Sequence, residues 1–344
     1  MGITIHILTL DGSPLGCSMK TLMGDESNFV GVGGSEYALL TMCEMWHNRG
    51  DTIRLFNDPR DKYGSSFEQR MISSFDKNEK CDVLIIFRST NIRAMNAKAG
   101  LKVWWSCDQF STGDYKSFRS VVDKVVLISP THHEYFSQVY GITDGIVIDL
   151  PVRVWEYEGK NIEKIKNRFI FTSVPARGLN IMLEIWPRIK KEIPDASLVI
   201  TSDYRLWNCG RGNEQFMMKA LGLDGITYLS AIPRPRLVEE QLKAEIHMYP
   251  TDYQELFCIA VAESQVAGVY PITSDAGALV TTNMGTTIPG DPNKVKDEYV
   301  RQSVAMLDNI HSVGLRVKEL QLRAKERFHP NRILKEWDRL VFNK

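Results

Sequence analysis

Two carboxylates eight positions apart, Glu255 and Glu263, bracket the stretch of this chain best suited to chemistry. From Leu256 to Ala267 the residues are almost entirely apolar, and a helix apolar on every side is buried. A carboxylate inside such a helix needs hydrogen-bond donors, and the two vicinal hydroxyls of a ribose would supply them. At the rise of an α-helix this spacing covers about 12 Å. Carboxylates so placed can flank a pyrophosphate held at the helix N-terminus, where free N–H groups and the dipole favour anions. The alternative is structural: Glu255 caps the helix and Glu263 pairs with an internal arginine. Arg177 stands between Ala176 and Gly178 at a strand-to-helix turn, where a guanidinium can meet a diphosphate in bidentate geometry. Asp108, just after Trp104-Trp105-Ser106-Cys107, offers either a general acid/base or a loop-capping carboxylate. No D-x-D occurs, and the seven histidines include no H-x-x-x-H pair. A metal-free site is therefore expected.

Positioning such groups requires strands that end beside them. Ile3–Thr9, Thr52–Phe56, Val83–Phe87, Leu101–Trp105 and Lys124–Ile128 are short apolar runs, with a helical segment at Gly34–Asn48. Continuous apolar strands separated by helices predict a parallel sheet covered on both faces. After a polar stretch, Glu156–Asn167, read as the linker, the pattern restarts. Strands are expected at Arg168–Thr172, Ser197–Thr201, Ile226–Leu229, Ile246–Tyr249 and Tyr270–Thr273. Leu179, Met182, Leu183, Trp186 and Ile189 follow helical spacing. Final helices run from about Val313 to Phe342, broken near His329-Pro330. Two α/β halves result, with ligands expected beyond the carboxyl ends of the strands.

The 344 residues suit about two domains. Lys+Arg and Asp+Glu both number 42, apolar residues make up 43% and charged residues 24%. This balance excludes a disordered or collagen-like chain, and zero net charge gives no global attraction to nucleic acid. No apolar run is long enough for a transmembrane helix, and the N-terminus reads as a strand rather than a signal peptide. Six cysteines without a C-x-x-C pair suit a reducing compartment. A cytoplasmic location is expected, with attachment at a membrane surface as the alternative.

Longer motifs add a resemblance. The segment from Glu255 to Glu263 resembles the E-x7-E motif of retaining GT-B glycosyltransferases, specifically glycosyltransferase family 4. Val269-Tyr-Pro-Ile-Thr-Ser-Asp275-Ala-Gly277-Ala resembles that family's "PVVASDVGG" strand and loop. Ser173-Val-Pro-Ala-Arg177-Gly178-Leu179, with Trp186-Pro187 and Ile193-Pro-Asp-Ala-Ser-Leu, resembles its "RP-x-RGL…P-x-A-x-L" stretch. Gly31-Val-Gly33-Gly34-Ser35-Glu36 is similar to its "GG-x-E" loop, and Glu326–Trp337 to its closing helix. The match runs along most of the chain in the family's order.

The resemblance implies a GT-B fold: an acceptor-side Rossmann-like domain at 1–155, a nucleotide-sugar-binding one at 156–325 facing it across a cleft, and a C-terminal helix at 326–344 packing back on the first. It implies that Glu263 holds the nucleotide ribose and that Glu255 sits near the donor sugar hydroxyls. The backbone N–H groups of Phe257, Cys258 and Ile259 would meet the diphosphate, Arg177 would neutralise it, and Gly33 and Gly34 would let the first-domain backbone approach the donor. Three departures stand out. The arginine usual at the end of the second domain's first strand is Thr172, a histidine common in the first domain is Cys107 with Asp108 beside it, and the segment from Asp11 to Val32 is long. That segment reads as a lid or acceptor loop.

Other features receive plainer readings. Gly31-x-Gly33 is not a dinucleotide fingerprint, since Glu36 holds the third glycine position. His132-His133 is read as surface or capping histidine. Trp104-Trp105 is core or an acceptor-stacking pair. Arg234-Pro-Arg236 is an exposed loop or a nucleobase or phosphate contact. The expected activity is metal-independent, retaining transfer of a hexose from a UDP- or GDP-linked sugar to an acceptor hydroxyl. The acceptor classes are a lipid-linked or other glycan, a protein, a small molecule, or a hydroxymethylated base in nucleic acid. The alternatives are a non-catalytic nucleotide-sugar or glycan-binding protein with a decayed site, and a phosphorolytic or epimerising enzyme on the same fold.

Overall fold

In the computed structural model, residues 2–10, 16–24, 31–60, 64–109, 113–207 and 212–344 are described. Half of the expected lid or acceptor loop, 11–15 and 25–30, lies outside them. The chain divides into two units: Met1–Leu22, Val32–Pro151 and Pro330–Lys344 form one, and Met23–Gly31 with Val152–His329 the other.

The first unit carries β1 (Thr4–Leu8), β2 (Thr52–Phe56), β3 (Glu68–Arg70), β4 (Cys81–Phe87), β5 (Ala99–Trp105), β6 (Lys124–Leu127) and β7 (Ile146–Val147). Its early helices are α1 (Met19–Met23, whose last residue groups with the second unit), α2 (Gly34–Asn48), α3 (Tyr115–Phe118) and α4 (Pro130–Tyr140). The sheet order is β3-β2-β1-β4-β5-β6-β7, and every pairing is parallel. Order reverses between β1 and β4, and in doubly wound sheets the carboxyl ends at such a reversal form a crevice where ligands commonly bind.

The second unit carries β8 (Arg168–Thr172), β9 (Ser197–Thr201), β10 (Ile226–Tyr228), β11 (Ile246–Tyr249), β12 (Tyr270–Ser274) and β13 (Thr286–Ile288). Its helices are α5 (Leu179–Glu192), α6 (Glu214–Leu221), α7 (Arg234–Lys243), α8 (Ile259–Val266), α9 (Leu279–Thr282), α10 (Lys296–Val313) and α11 (Leu315–Arg327). Strand order is β10-β9-β8-β11-β12-β13, again all parallel. Here the reversal falls between β8 and β11. One face of the sheet packs Phe169, Phe171, Leu198, Ile200, Ile246 and Met248 into a core with Trp186 of α5 and Tyr299 of α10.

The chain's end belongs to the first unit through α12 (Pro330–Glu336) and a wide turn at Trp337–Phe342. Trp337 is fully buried, edge-on to Trp46 at 5.3 Å and Trp105 at 5.1 Å. Arg49 bridges Asp51 and Asp338. Lys124 Nζ donates to the Leu340 and Val341 carbonyls and to Asn343 Oδ1 at 2.8–3.0 Å, satisfying acceptors a helical end leaves open.

Candidate active site

In the second unit, the reversal point gathers Arg177, Tyr249 and Glu255. Arg177 enters from the turn after β8. Gly178, at φ +95°, lets that turn close on the segment after β11: a Cβ there would lie 2.6 Å from the Pro250 carbonyl oxygen. Only glycine accepts both that conformation and that approach. Glu255 is held from the other side by a parallel bridge to Gly277, where a Cβ would meet the Glu255 carbonyl at 2.3 Å. These two backbone contacts bring Arg177 Nη1 to 3.8 Å from Glu255 Oε1. Tyr249, the last residue of β11, donates its hydroxyl to the same oxygen at 2.7 Å, and Ser173 Oγ lies 3.2 Å from that hydroxyl.

Burial pushes the Glu255 carboxyl up, against the pull of Arg177 and the Tyr249 hydroxyl. The Arg177 guanidinium lies over the Tyr253 ring at 3.0 Å and faces Trp207 at 5.4 Å. Its Nη1 is buried without a hydrogen-bond partner among the described residues. A desolvated N–H of a cation is a donor awaiting an anion. Thr172 and Thr201, paired across β8 and β9, also bury hydroxyls that have no partner there.

Helix α8 corrects one sequence expectation. It begins at Ile259, not Leu256, and Cys258 precedes it in the left-handed region at φ +69°. Leu256–Cys258 is apolar because it is a packed loop: Phe257 is 2% exposed, with its ring 5.8 Å from Phe328. Glu255 therefore does not cap α8. Ile259 opens the helix, so its N–H is among those with no intrahelical acceptor.

Glu263 sits in the second turn of α8, 7% exposed, with Arg234 Nη2 paired to its Oε1. The Tyr157 hydroxyl lies 3.4 Å from that oxygen and donates to Gln241 Oε1 at 2.7 Å. The internal-arginine alternative is thus realised in part, and the partner was misread: Arg234 is not in an exposed loop but opens α7 at 6% exposure. Glu156, expected in the linker, accepts from Arg234 Nε at 2.7 Å.

In the first unit, Gly33 caps α2 and Gly34 is its first residue. Glu36 in the first turn accepts from Arg88 Nη1 at 3.1 Å, and burial pushes its carboxyl up. Arg88 follows β4 in the left-handed region at φ +70°, and Asp108 Oδ2 is 4.0 Å from its Nε. Asp108 Oδ1 accepts from the Gln109 N–H at 2.7 Å, while Oδ2 is buried without a hydrogen bond among the described residues. The Asp108 carbonyl lies 3.0 Å from His132 Nε2. His132 is fully buried and Ser129 caps α4, which corrects the surface reading; burial lowers the imidazole to about 4. Trp104 and Trp105 are both core, edge-on to Tyr115 and Phe87 respectively, so the acceptor-stacking reading is withdrawn.

Sequence reasoning missed Tyr249, Tyr253, Trp207, Arg88 and Tyr157. Tyr249 ends a strand and Arg88 and Tyr253 lie just beyond one, a signal that names too many residues, while Tyr157 and Trp207 carry no such signal. Among the described residues no group of three His, Cys, Asp or Glu side chains is placed to hold a metal. No helix there is long and apolar enough to cross a membrane.

Residues 158–283 match the family model described as glycosyl transferases group 1. A curated relative, the uncharacterized glycosyltransferase YqgM of Bacillus subtilis (strain 168), is 27% identical over 135 residues, covering 38% of this chain and 36% of that protein. The match thus spans about a third of the relative's length. Among solved structures, the sucrose-phosphate synthase (tll1590) from Thermosynechococcus elongatus superimposes with a TM-score of 0.72 at 12% identity, over 99% of this chain and 98% of that one. Anabaena Alr3699/HepE in complex with UDP and glucose gives 0.71 at 14% identity, over 99% and 100%. The same protein with UDP-glucose gives 0.69 at 13%, over 99% and 100%. The two parallel, doubly wound units are those of the GT-B fold. The family match and this fold together support a glycosyltransferase.

Proposed function

We propose that this chain is a retaining glycosyltransferase of the family 4 type, transferring a hexose from a nucleoside-diphosphate sugar to an acceptor hydroxyl without a metal. The observation that carries the reading is Arg177. Its guanidinium lies against two aromatic rings at the reversal point of the second sheet, with Nη1 buried, without a hydrogen-bond partner among the described residues, and 3.8 Å from a buried carboxylate. That arrangement lies inside the matched segment 158–283.

When the bond between the sugar's anomeric carbon and the diphosphate breaks, negative charge grows on the diphosphate. A preorganised cation in a water-poor site stabilises that growth without reorganising. Arg177 takes this role, helped by the N–H groups of Phe257, Cys258 and Ile259 at the start of α8. Glu255, oriented by the Tyr249 hydroxyl, receives hydroxyls of the donor sugar. Glu263 receives the vicinal hydroxyls of the ribose. Gly33 and Gly34, which leave the entrance to α2 without side chains, belong to the acceptor side with Asp108, whose Oδ2, buried 4.0 Å from Arg88 Nε, has acceptor capacity left for a hydroxyl. The similar solved structures in complex with UDP or UDP-glucose support a UDP-linked donor.

Incubation with UDP-, GDP- and ADP-sugars across glycan, lipid-linked, peptide and small-molecule acceptors tests this. The expected result is acceptor-dependent release of nucleoside diphosphate and a product that keeps the donor's anomeric configuration. Binding of a sugar nucleotide without release under any acceptor would identify a decayed site; an inverted product would exclude the retaining assignment.

A further inference from the structure

Arg234 belongs to a charged motif that the proposed reaction does not use, and it is among the most buried arginines of the second unit. It opens α7 at 6% exposure. Its Nε donates to Glu156 Oε2 at 2.7 Å, and its Nη2 pairs with Glu263 Oε1. Glu156, 10% exposed, accepts from Arg153 Nε on its other oxygen at 2.6 Å. Arg153, Glu156, Arg234 and Glu263 thus form one alternating chain of four buried charges. It runs from the segment that enters the second unit, through the start of α7, to the second turn of α8. Tyr157 and Gln241 line it: the Tyr157 hydroxyl donates to Gln241 Oε1 and stands 3.4 Å from both Arg234 Nη2 and Glu263 Oε1.

A buried carboxylate that must accept hydroxyl groups has to be ionised and fixed in direction before they arrive. α8 offers Glu263 no cation: its eight residues are Ile-Ala-Val-Ala-Glu-Ser-Gln-Val. The charge must come from another element, and the fork of Arg234 brings it while Glu156 holds the fork's other edge. A planar guanidinium can span two carboxylates in this way; an ammonium cannot.

We propose that Arg234 is a positioning residue for recognition of the nucleotide ribose: held by Glu156, it fixes the direction of the Glu263 carboxyl group as an acceptor for the vicinal hydroxyls. The proposal rests on the assignment of Glu263 to the ribose. It places Arg234 one step behind the ligand, so its loss is read in discrimination between ribose and deoxyribose rather than in the chemical step.

The test is calorimetric titration of the full-length protein and its Arg234→Gln and Arg234→Lys variants with UDP, GDP and their 2′-deoxy counterparts. A hydroxyl given to a charged acceptor corresponds to about a tenfold preference for the ribonucleotide in the unaltered protein. In Arg234→Gln that preference falls to within about threefold, the loss being in ribonucleotide affinity, while deoxynucleotide affinity stays within about threefold. Arg234→Lys, which keeps the charge but not the fork, also narrows the gap. Circular dichroism and a melting curve establish that each variant is folded; if Arg234→Gln is not, Arg234→Lys decides. A ribose preference unchanged in a folded Arg234 variant overturns the proposal. A wild-type protein that binds a nucleoside diphosphate with no ribose preference overturns the assignment of Glu263 instead, and one that binds none overturns the proposed donor.

Discussion

Replacing Arg177 by alanine removes the cation from the reversal point of the second sheet, and three consequences can be worked from its surroundings. The first is rate. Arg177 Nη1 is buried with no hydrogen-bond partner among the described residues, so a diphosphate that reaches it gains a charged hydrogen bond whose strength rises as the leaving group collects charge. Loss of such a contact is expected to raise the barrier by about 3 kcal/mol, roughly a hundredfold in rate, and to lower kcat and kcat/KM together. The second is pH. Burial already pushes the Glu255 carboxyl up, and Arg177 is the main group pulling it down. Without the guanidinium the carboxyl rises further, so the acid limb of the pH–rate profile moves to higher pH. The sign for stability follows: the folded state binds a proton at Glu255 that the unfolded chain does not, so acidification through that window favours folding and rising pH removes the contribution. In the variant this window extends to higher pH. The third is stability. The cation lies over the Tyr253 ring at 3.0 Å, so its loss costs about 1 kcal/mol. Steady-state kinetics from pH 5 to 8, with urea unfolding in the same buffers, measure all three. Full turnover with an unmoved acid limb in purified Arg177→Ala would refute the assignment of Arg177 to the diphosphate.

Three further outcomes are expected. Activity persists in excess EDTA, because the proposed site stabilises the leaving group with Arg177 and backbone N–H groups; complete loss restored by Mg²⁺ or Mn²⁺ would reject the metal-free route. Trp337→Ala, which empties a fully buried position against Trp46 and Trp105, lowers unfolding free energy by about 3–5 kcal/mol in urea titration; a loss under about 1 kcal/mol would mean the terminal segment adds little to the first unit. His132 and His247 are fully buried and held by burial at about 4 and about 3, below the ordinary imidazole value of 6.5. Their neutral forms therefore favour folding above that value, and stability falls with acidification from 6.5 downward, by at most about 1.4 kcal/mol per pH unit for each. Urea midpoints at pH 7, 5.5 and 4.5 should show a shallower decline in His132→Gln than in the unaltered protein; parallel declines would remove His132 from the account.

The sequence alone determined the inner strands of both sheets and several helices, but not the short edge strands β3, β7 and β13. Thr52–Phe56, Arg168–Thr172, Ser197–Thr201 and Ile246–Tyr249 were read with the ends they have in the structure, as was the helix Gly34–Asn48. Strands buried on both faces must be apolar throughout, and that local signal survives without knowledge of neighbours. The turn position of Arg177, just beyond β8, was also legible, and the reversal of strand order places that turn at the crevice. What sequence could not decide was every feature made by a partner far along the chain. The run from Leu256 to Ala267 shows the same apolarity whether it is helix or packed loop, and only the bridge of Glu255 to Gly277 and the left-handed Cys258 settle that α8 starts at Ile259. His132 is polar by type and buried by position. Arg234 resembles a surface charge until α7, α8 and the segment around Glu156 converge on it. A local pattern reports how much of a residue is buried on average, whereas the identity of its partner depends on which elements the sheet order brings together, and only the tertiary structure contains that.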